Sequence, residues 1–153
     1  MTDRIDRALE ELGLSLPTAA APVATYVPTV EAGGLLHVSG QLPFRDGKVV
    51  TGRLGADLDV AAGKEAAQLC ALMVVAQVKA ALGDLSRVAR VVKLGVFVNS
   101  AADFGDQPEV ANGASDLMVA LFGDAGKHAR AAVGVAALPR GAAVEIDAVI
   151  AVA

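Results

Sequence analysis

The chain has 153 residues, 54% of them hydrophobic and only 3% aromatic, and a formal net charge of −4. That length suits one domain, residues 1–153, with a core of Ala, Val and Leu rather than stacked rings. Charges of both signs are scattered without a Lys/Arg run, which argues against a nucleic-acid partner. The single cysteine, Cys70, excludes a disulfide within the chain and fits a reducing, cytoplasmic compartment.

The first residues lack the basic and then apolar pattern of a secretory signal. An uncharged run over residues 12–30 is interrupted by Pro17, Pro22 and Pro28, which would break a spanning helix. A later uncharged stretch, residues 66–78, is too short to cross a bilayer. No membrane partner is expected.

Residues 2–12 read as a short amphipathic helix, capped by Thr2 or Asp3, with Ile5, Ala8, Leu9 and Leu12 at helical spacing and Gly13 as the stop. An irregular link follows. Residues 23–31 have a strand pattern, and Pro28 favours an edge position. Gly33-Gly34 suits a hairpin turn into a second strand, residues 35–39. After Gly40-Gln41-Leu42-Pro43, Asp46-Gly47 marks another tight turn and residues 48–51 a short ribbon. Residues 52–59 form a polar, glycine-containing loop.

Residues 60–82 give the strongest helix, stopped by Gly83. Its apolar surface is wide, with Ala66, Leu69, Cys70, Met73, Val74 and Val78, as expected for a helix lying on a sheet beside a second helix. Cys70 reads as core packing. Residues 86–99 contain the longest strand, and residues 108–122 a second long helix ending at Gly123. Two further strands, residues 130–137 and 143–150, flank Leu138-Pro139-Arg140-Gly141 and read as a final hairpin. The order α-β-β-β-α-β-α-β-β predicts an α+β fold, a mixed sheet with two helices on one face and a short N-terminal helix.

Arg130 opens the first of these last strands, and Glu145 sits early in the second. Both lie among Ala, Val, Ile and Gly, where a charge is costly without a partner or a task. A guanidinium presents a planar fork of donors that fits a carboxylate bidentately, worth about 1.5–3 kcal/mol as a hydrogen bond to a charged group. A glutamate can orient or deprotonate water. Equally, the two could pair with each other or lie at the solvated edge of the sheet. Strand parity leaves the choice open, because a one-residue slip reverses the face.

The two histidines, His37 and His128, form no metal-ligand spacing with Cys70. His128 precedes Arg130 by two residues and could share its side. No dinucleotide fingerprint, phosphate loop or nucleophile elbow is present, so neither metal nor cofactor is expected.

The order of motifs resembles the RidA (YjgF-like) family of reactive-intermediate deaminases, in a longer branch. Ser39-Gly40-Gln41-Leu42-Pro43 resembles S-G-Q-[IL]-P. Gly83-Asp84-Leu85, Val91-Val92-Lys93 and Val96-Phe97-Val98 resemble the G-D-L, V-V-K and V-F-V region. Ala129-Arg130 with Val133, Val135, Leu138 and Pro139 resembles A-R…V-x-V…L-P, and Val144-Glu145-Ile146-Asp147 resembles V-E-I-E. The resemblance spans about residues 26–152.

It implies a chorismate mutase-like fold, a homotrimer with ligand clefts between subunits, and cofactor-free hydrolysis of 2-aminoacrylate/2-iminopropanoate-type acids to 2-oxo acids and ammonia. By the same resemblance Arg130 binds the substrate carboxylate, Glu145 positions the attacking water, and Tyr26 lies near the ligand. Asn112 matches the family's helix asparagine if one helical turn is inserted after it, and Asp116 competes for that place. Ala131 and Ala132 stand where the family often has small polar residues. The N-terminal extension, residues 1–16, and the loop 123–127 lengthen the chain. The alternative within the same fold is a non-enzymatic module that binds a small carboxylate. A ribonuclease activity, suggested for some relatives, fits the acidic charge poorly.

Overall fold

The computed structural model describes residues 2–21 and 25–153. In chain order its elements are α1 (Thr2–Glu11), β1 (Thr29–Ala32), β2 (Leu35–Gln41), β3 (Phe44–Arg45), β4 (Lys48–Val49), α2 (Val60–Leu82), β5 (Val88–Asn99), α3 (Gln107–Phe122), β6 (Ala129–Val135) and β7 (Val144–Val152). Short 3-10 turns lie at Leu85–Arg87, Gly123–Gly126 and Pro139–Gly141.

Strand alternation builds the main sheet. On β5, Leu94, Val96 and Val98 are buried while Lys93 is exposed, and Val91 is buried too because a bulge between Val91 and Lys93 shifts the alternation by one residue. On β7, Val144, Ile146, Ala148 and Ile150 are buried in the same way. These two inward rows face α2 and α3, which lie side by side on one face and give the expected α+β architecture. The strand order is β1-β2-β7-β5-β6. All neighbours are antiparallel except β5 and β6, which run parallel with α3 as their crossover. Helix α1 packs against α3 and buries Ile5 and Leu9.

The last two strands do not form the expected hairpin. Strand β5 lies between β6 and β7 and bonds to both. Alternation shows which residues face the core but not which strand is the neighbour, so a hairpin and a split pair look alike in sequence. Burial follows the true order: β7 sits centrally, whereas β6 is an edge strand with exposed Val133.

Other differences are smaller. Strand β1 starts at Thr29 rather than at residue 23, and residues 22–24 lie outside the described part, as do the Thr2 and Asp3 side chains expected to cap α1. Strand β2 runs on to Gln41 through a bulge between Val38 and Gln41. Phe44–Arg45 adds a strand that the sequence pattern did not suggest, paired with β4 across Asp46-Gly47, whose φ angles are 52° and 77°. Both backbones there need the left-handed region, which Asp and Gly tolerate best.

Helix α2 begins where Asp59 accepts a hydrogen bond from the Ala62 N–H at 2.8 Å. The whole helix, unlike its uncharged centre, is long and apolar enough to cross a membrane, but 67% of that stretch is buried inside the protein. Its packing on α3 depends on glycine. A Cβ on Gly113 would lie 2.0 Å from the Lys64 carbonyl oxygen, and one on Gly63 would lie 2.9 Å from Val110 Cγ2 of α3.

Alanine at position 113 would gain roughly 1 kcal/mol of helix propensity but would push two backbones apart. Gly113→Ala is therefore expected to destabilise the protein by about 1–3 kcal/mol. Urea unfolding followed by circular dichroism checks this; an unchanged or higher midpoint would contradict the close helix contact.

Candidate functional site

The register separates the two charges of the last strands. Arg130 aligns with Leu94 and, across β5, with Ala148. Glu145 aligns with Phe97 and, across β5, with Val133. Leu94 and Phe97 are three residues apart, so the two rows leave the sheet on opposite faces. Arg130 turns to the helix side and Glu145 to the open side. They do not pair with each other.

Arg130 is held by α3. Its Nη1 donates to Asn112 Oδ1 at 2.8 Å and to Ser115 Oγ at 3.1 Å. That occupies both hydrogens of Nη1. Among the described residues no hydrogen bond or ion pair takes its Nε–H or the two Nη2 hydrogens. His128 joins the group from the start of β6, with Nε2 at 2.8 Å from Ser115 Oγ and Nδ1 at 2.6 Å from the Gly126 carbonyl oxygen. Asn112, rather than Asp116, contacts the arginine; Asp116 is exposed. All four clustered residues are half-buried.

Glu145 and Tyr26 meet elsewhere, in a cavity of about 220 Å³ lined also by Gly40, Gln41, Phe44 and Arg140. The residues of the Ser-Gly-Gln stretch build its wall. Ser39 Oγ donates to the Val27 carbonyl oxygen at 2.8 Å, and the Ser39 N–H donates to that of Pro28 at 2.9 Å, pinning the segment that carries Tyr26. Gly40 makes room for the glutamate: a Cβ there would lie 2.9 Å from Glu145 Cδ and 3.1 Å from Oε2. Gln41 is buried, donating to the Ser39 carbonyl oxygen at 2.9 Å and accepting from Gln77 of α2 at 3.2 Å. Gln77 also donates to the Ala20 carbonyl oxygen at 2.7 Å, which fixes another stretch of the wall. Tyr26 is 54% exposed, with its ring on the cavity.

Glu145 has no ion-pair partner among the described residues. Burial pushes its carboxyl above the usual range, and the Asp147 charge on the same face pushes it further. A carboxylate so tuned can take a proton from water and return it nearer neutral pH than an ordinary glutamate. Cys70, by contrast, is fully buried and its thiol is pushed well up, by burial first and by Glu145 second, as befits core packing rather than nucleophilic chemistry. His37 is exposed on β2. Among the described residues no cluster of His, Cys, Asp and Glu could hold a metal ion.

The structure thus joins Arg130 with Asn112, and brings Glu145 and Tyr26 to one cavity, but places the two pairs on opposite faces of the sheet. Two residues escaped the sequence reading. Ser115 stands three residues after Asn112, hence on the same helix face. Arg140 lines the cavity in a left-handed conformation, φ 59° and ψ 17°, a backbone cost that its sequence neighbours do not advertise.

A family model described as "YjgF/chorismate mutase-like, putative endoribonuclease" matches residues 6–146. The crystal structure of Atu1372, a protein of unknown function from Agrobacterium tumefaciens, superposes with a TM-score of 0.94 at 52% identity, covering 99% of this chain and 95% of that one. Escherichia coli TdcF with bound serine superposes with a TM-score of 0.63 at 25% identity, covering 90% and 98%. A 2-iminobutanoate/2-iminopropanoate deaminase of Dermatophagoides farinae is 30% identical over 139 residues, 90% of this chain and 93% of that protein.

The raised Glu145 carboxyl has a consequence for stability. The folded protein holds this proton to higher pH than the unfolded chain does, so the residue's contribution is intact below the unfolded value and lost as pH rises through the folded one. Glu145→Gln removes that loss. The variant's unfolding midpoint should rise relative to wild type between pH 4 and pH 8. A relative stability that stays level, or falls, over that range would show that the carboxylate is not penalised.

Proposed function

The chain belongs to the YjgF/chorismate mutase-like family, and we propose that it hydrolyses small 2-imino acids, of the 2-iminopropanoate type, to 2-oxo acids and ammonia. The observation that carries this reading is Glu145: a carboxyl raised by burial, without an ion-pair partner among the described residues, facing a cavity beside a tyrosine. The name of the mite relative points to the same reaction.

Arg130 is the anchor. Its unspent Nε–H and Nη2–H groups form the side of the guanidinium that takes a carboxylate bidentately. Asn112 and Ser115 fix the other side, so the fork is oriented before substrate arrives. Serine bound to TdcF shows that a relative of this fold accepts a small amino acid. With the substrate carboxylate held, its C2 imine carbon faces Glu145. The carboxylate takes a proton from water as the water oxygen bonds to C2 and the C=N π electrons move to nitrogen. Protonation of that nitrogen, with Glu145 returning its proton, lets the C–N bond break and ammonia leave; the oxygen lone pair forms the carbonyl, the hydroxyl proton passes back to the Glu145 carboxylate, and the departing ammonia carries it off as ammonium. The Tyr26 hydroxyl hydrogen-bonds the water or the leaving nitrogen. A protonated imine is already electrophilic, so the reaction asks only for positioning and proton transfer.

One protomer does not bring Arg130 to Glu145. In the proposed homotrimer a neighbouring copy supplies the arginine, completing a cleft at each interface. The open face of the sheet supports this, with Val30 at 52% and Val133 at 47% exposure around half-buried Phe97 and Val149. Light scattering should return three copies of the chain; a monomer would leave each cleft without its anchor.

Ammonia release from freshly generated 2-iminopropanoate tests the reaction. Arg130→Ala should lower kcat/KM by about tenfold to a hundredfold, the loss of one charge-assisted contact of roughly 1.5–3 kcal/mol. Glu145→Gln should slow turnover by about a hundredfold or more while keeping carboxylate affinity. Acceleration by neither wild type nor variants, with binding intact, would favour the binding-only module.

A further inference from the structure

The turn that leads into β7 carries a residue its backbone does not favour. Arg140 and Gly141 both have positive φ, 59° and 71°, and the Ala142 N–H closes the turn onto the Pro139 carbonyl oxygen at 3.1 Å. Two successive left-handed residues in a tight turn suit Asn or Asp followed by Gly. The chain uses that favoured pair at Asp46-Gly47, with φ 52° and 77°. At residue 140 it places an arginine, the one other non-glycine residue with positive φ among the described residues. A strained backbone under a long cation marks a side chain with a task.

Neighbouring strands hold this turn in place. The Gly52 N–H donates to the Gly141 carbonyl oxygen at 3.1 Å, and Thr51 bridges to Ala142. Arg140 is thereby kept on the wall of the cavity that Glu145 and Tyr26 also line. It is the one cation among the lining residues, and Glu145 is the one acid. The two do not pair. Among the described residues the ion pairs are made by Arg45, Arg87 and Lys127, and the Arg140 guanidinium enters neither an ion pair nor a hydrogen bond. Pro28, Leu42, Phe44 and Pro139 give the same cavity an apolar lining.

With the C2 imine carbon at Glu145 and its carboxylate on a neighbouring copy's arginine, the substrate's side chain is left to fill this cavity. Methylenes suit the apolar lining, and the volume of about 220 Å³ keeps the chain short. A carboxylate at its end would bring a second negative charge near Glu145 and needs a cation to offset it. Arg140 offers a planar fork with all its donors unspent. We propose that Arg140 sets specificity by binding a carboxylate at the far end of the side chain, so that the preferred substrates are short 2-imino dicarboxylic acids, 2-iminobutanedioate and 2-iminopentanedioate. This rests on the imine hydrolysis proposed above and names its substrate class. The bonds made and broken are unchanged: water adds to C2, the C–N bond breaks, and a 2-oxo dicarboxylic acid and ammonia are released.

The test compares ammonia release, above the spontaneous rate, from 2-iminopropanoate and 2-iminobutanedioate, each generated freshly by oxidation of the matching amino acid. Wild type should favour the dicarboxylic imine in kcat/KM by about tenfold, the gain of one contact between charged groups. Arg140→Gly should reduce that preference to within about twofold, chiefly through KM. Its unfolding midpoint should not fall, because glycine suits the left-handed backbone. Arg140→Lys, which keeps the charge, should retain part of the preference, and Arg140→Glu should reverse it. Equal kcat/KM for the two imines in wild type, or a preference that survives Arg140→Gly and Arg140→Glu, overturns the role of Arg140 while leaving the imine hydrolysis in place. If wild type accelerates neither imine, the hydrolysis itself is wrong and the substrate class falls with it.

Discussion

A charge carried by a strand must leave the sheet by one face or the other, and in this protein the face is decided by a strand that carries neither charge. Strand β5 bonds to both β6 and β7 and carries their registers across to one another. Its period of two then sends Arg130 toward the helices and Glu145 toward the open face. Much else follows. Arg130 finds its partners on α3, which the parallel crossover lays over β6. Glu145, partly buried and beside the Asp147 charge, keeps a proton more tightly than an ordinary glutamate. In a hairpin between β6 and β7 the loop register alone would set which faces the two charges take.

The open face is shaped as much by missing side chains as by those present. Gly40 and Gly95 each lie under a carboxylate, that of Glu145 and that of Asp147. Any larger residue would lift the acid off the sheet. Around Gly40 the bulge in β2 turns Gln41 inward, where it bonds to Gln77 and ties the cavity wall to α2. The short Ser-Gly-Gln stretch thus does three separate jobs: it pins the Tyr26 segment, clears space for the acid and anchors the wall to a core helix.

Most of the fold was legible in the sequence. The bounds of α2 agree to the residue because Asp59 and Gly83 mark its ends chemically, and the glycine turns at residues 33–34 and 46–47 lie where the left-handed backbone demands them. Strand neighbours were not legible, because alternation reports burial and says nothing about adjacency. The site divides along the same line. Arg130 and Glu145 drew notice as charges in apolar strands. Their separation depended on the unseen strand order. Ser115 and Arg140 stayed hidden because a serine on a helix and an arginine in a loop are ordinary until their geometry is known.

The two halves of the site also differ in how far apart their parts lie along the chain. Asn112, Ser115, His128 and Arg130 come from one helix–turn–strand unit, closed by a short loop. Glu145 and Tyr26 come from nearly opposite ends, and their cavity forms only after β2 has found β7. Short loops close at little entropic cost, whereas distant pairings must wait for most of the chain to be ordered. The arginine unit is thus a local module that can organise early in folding, and the acid-lined cavity is a late product of global closure.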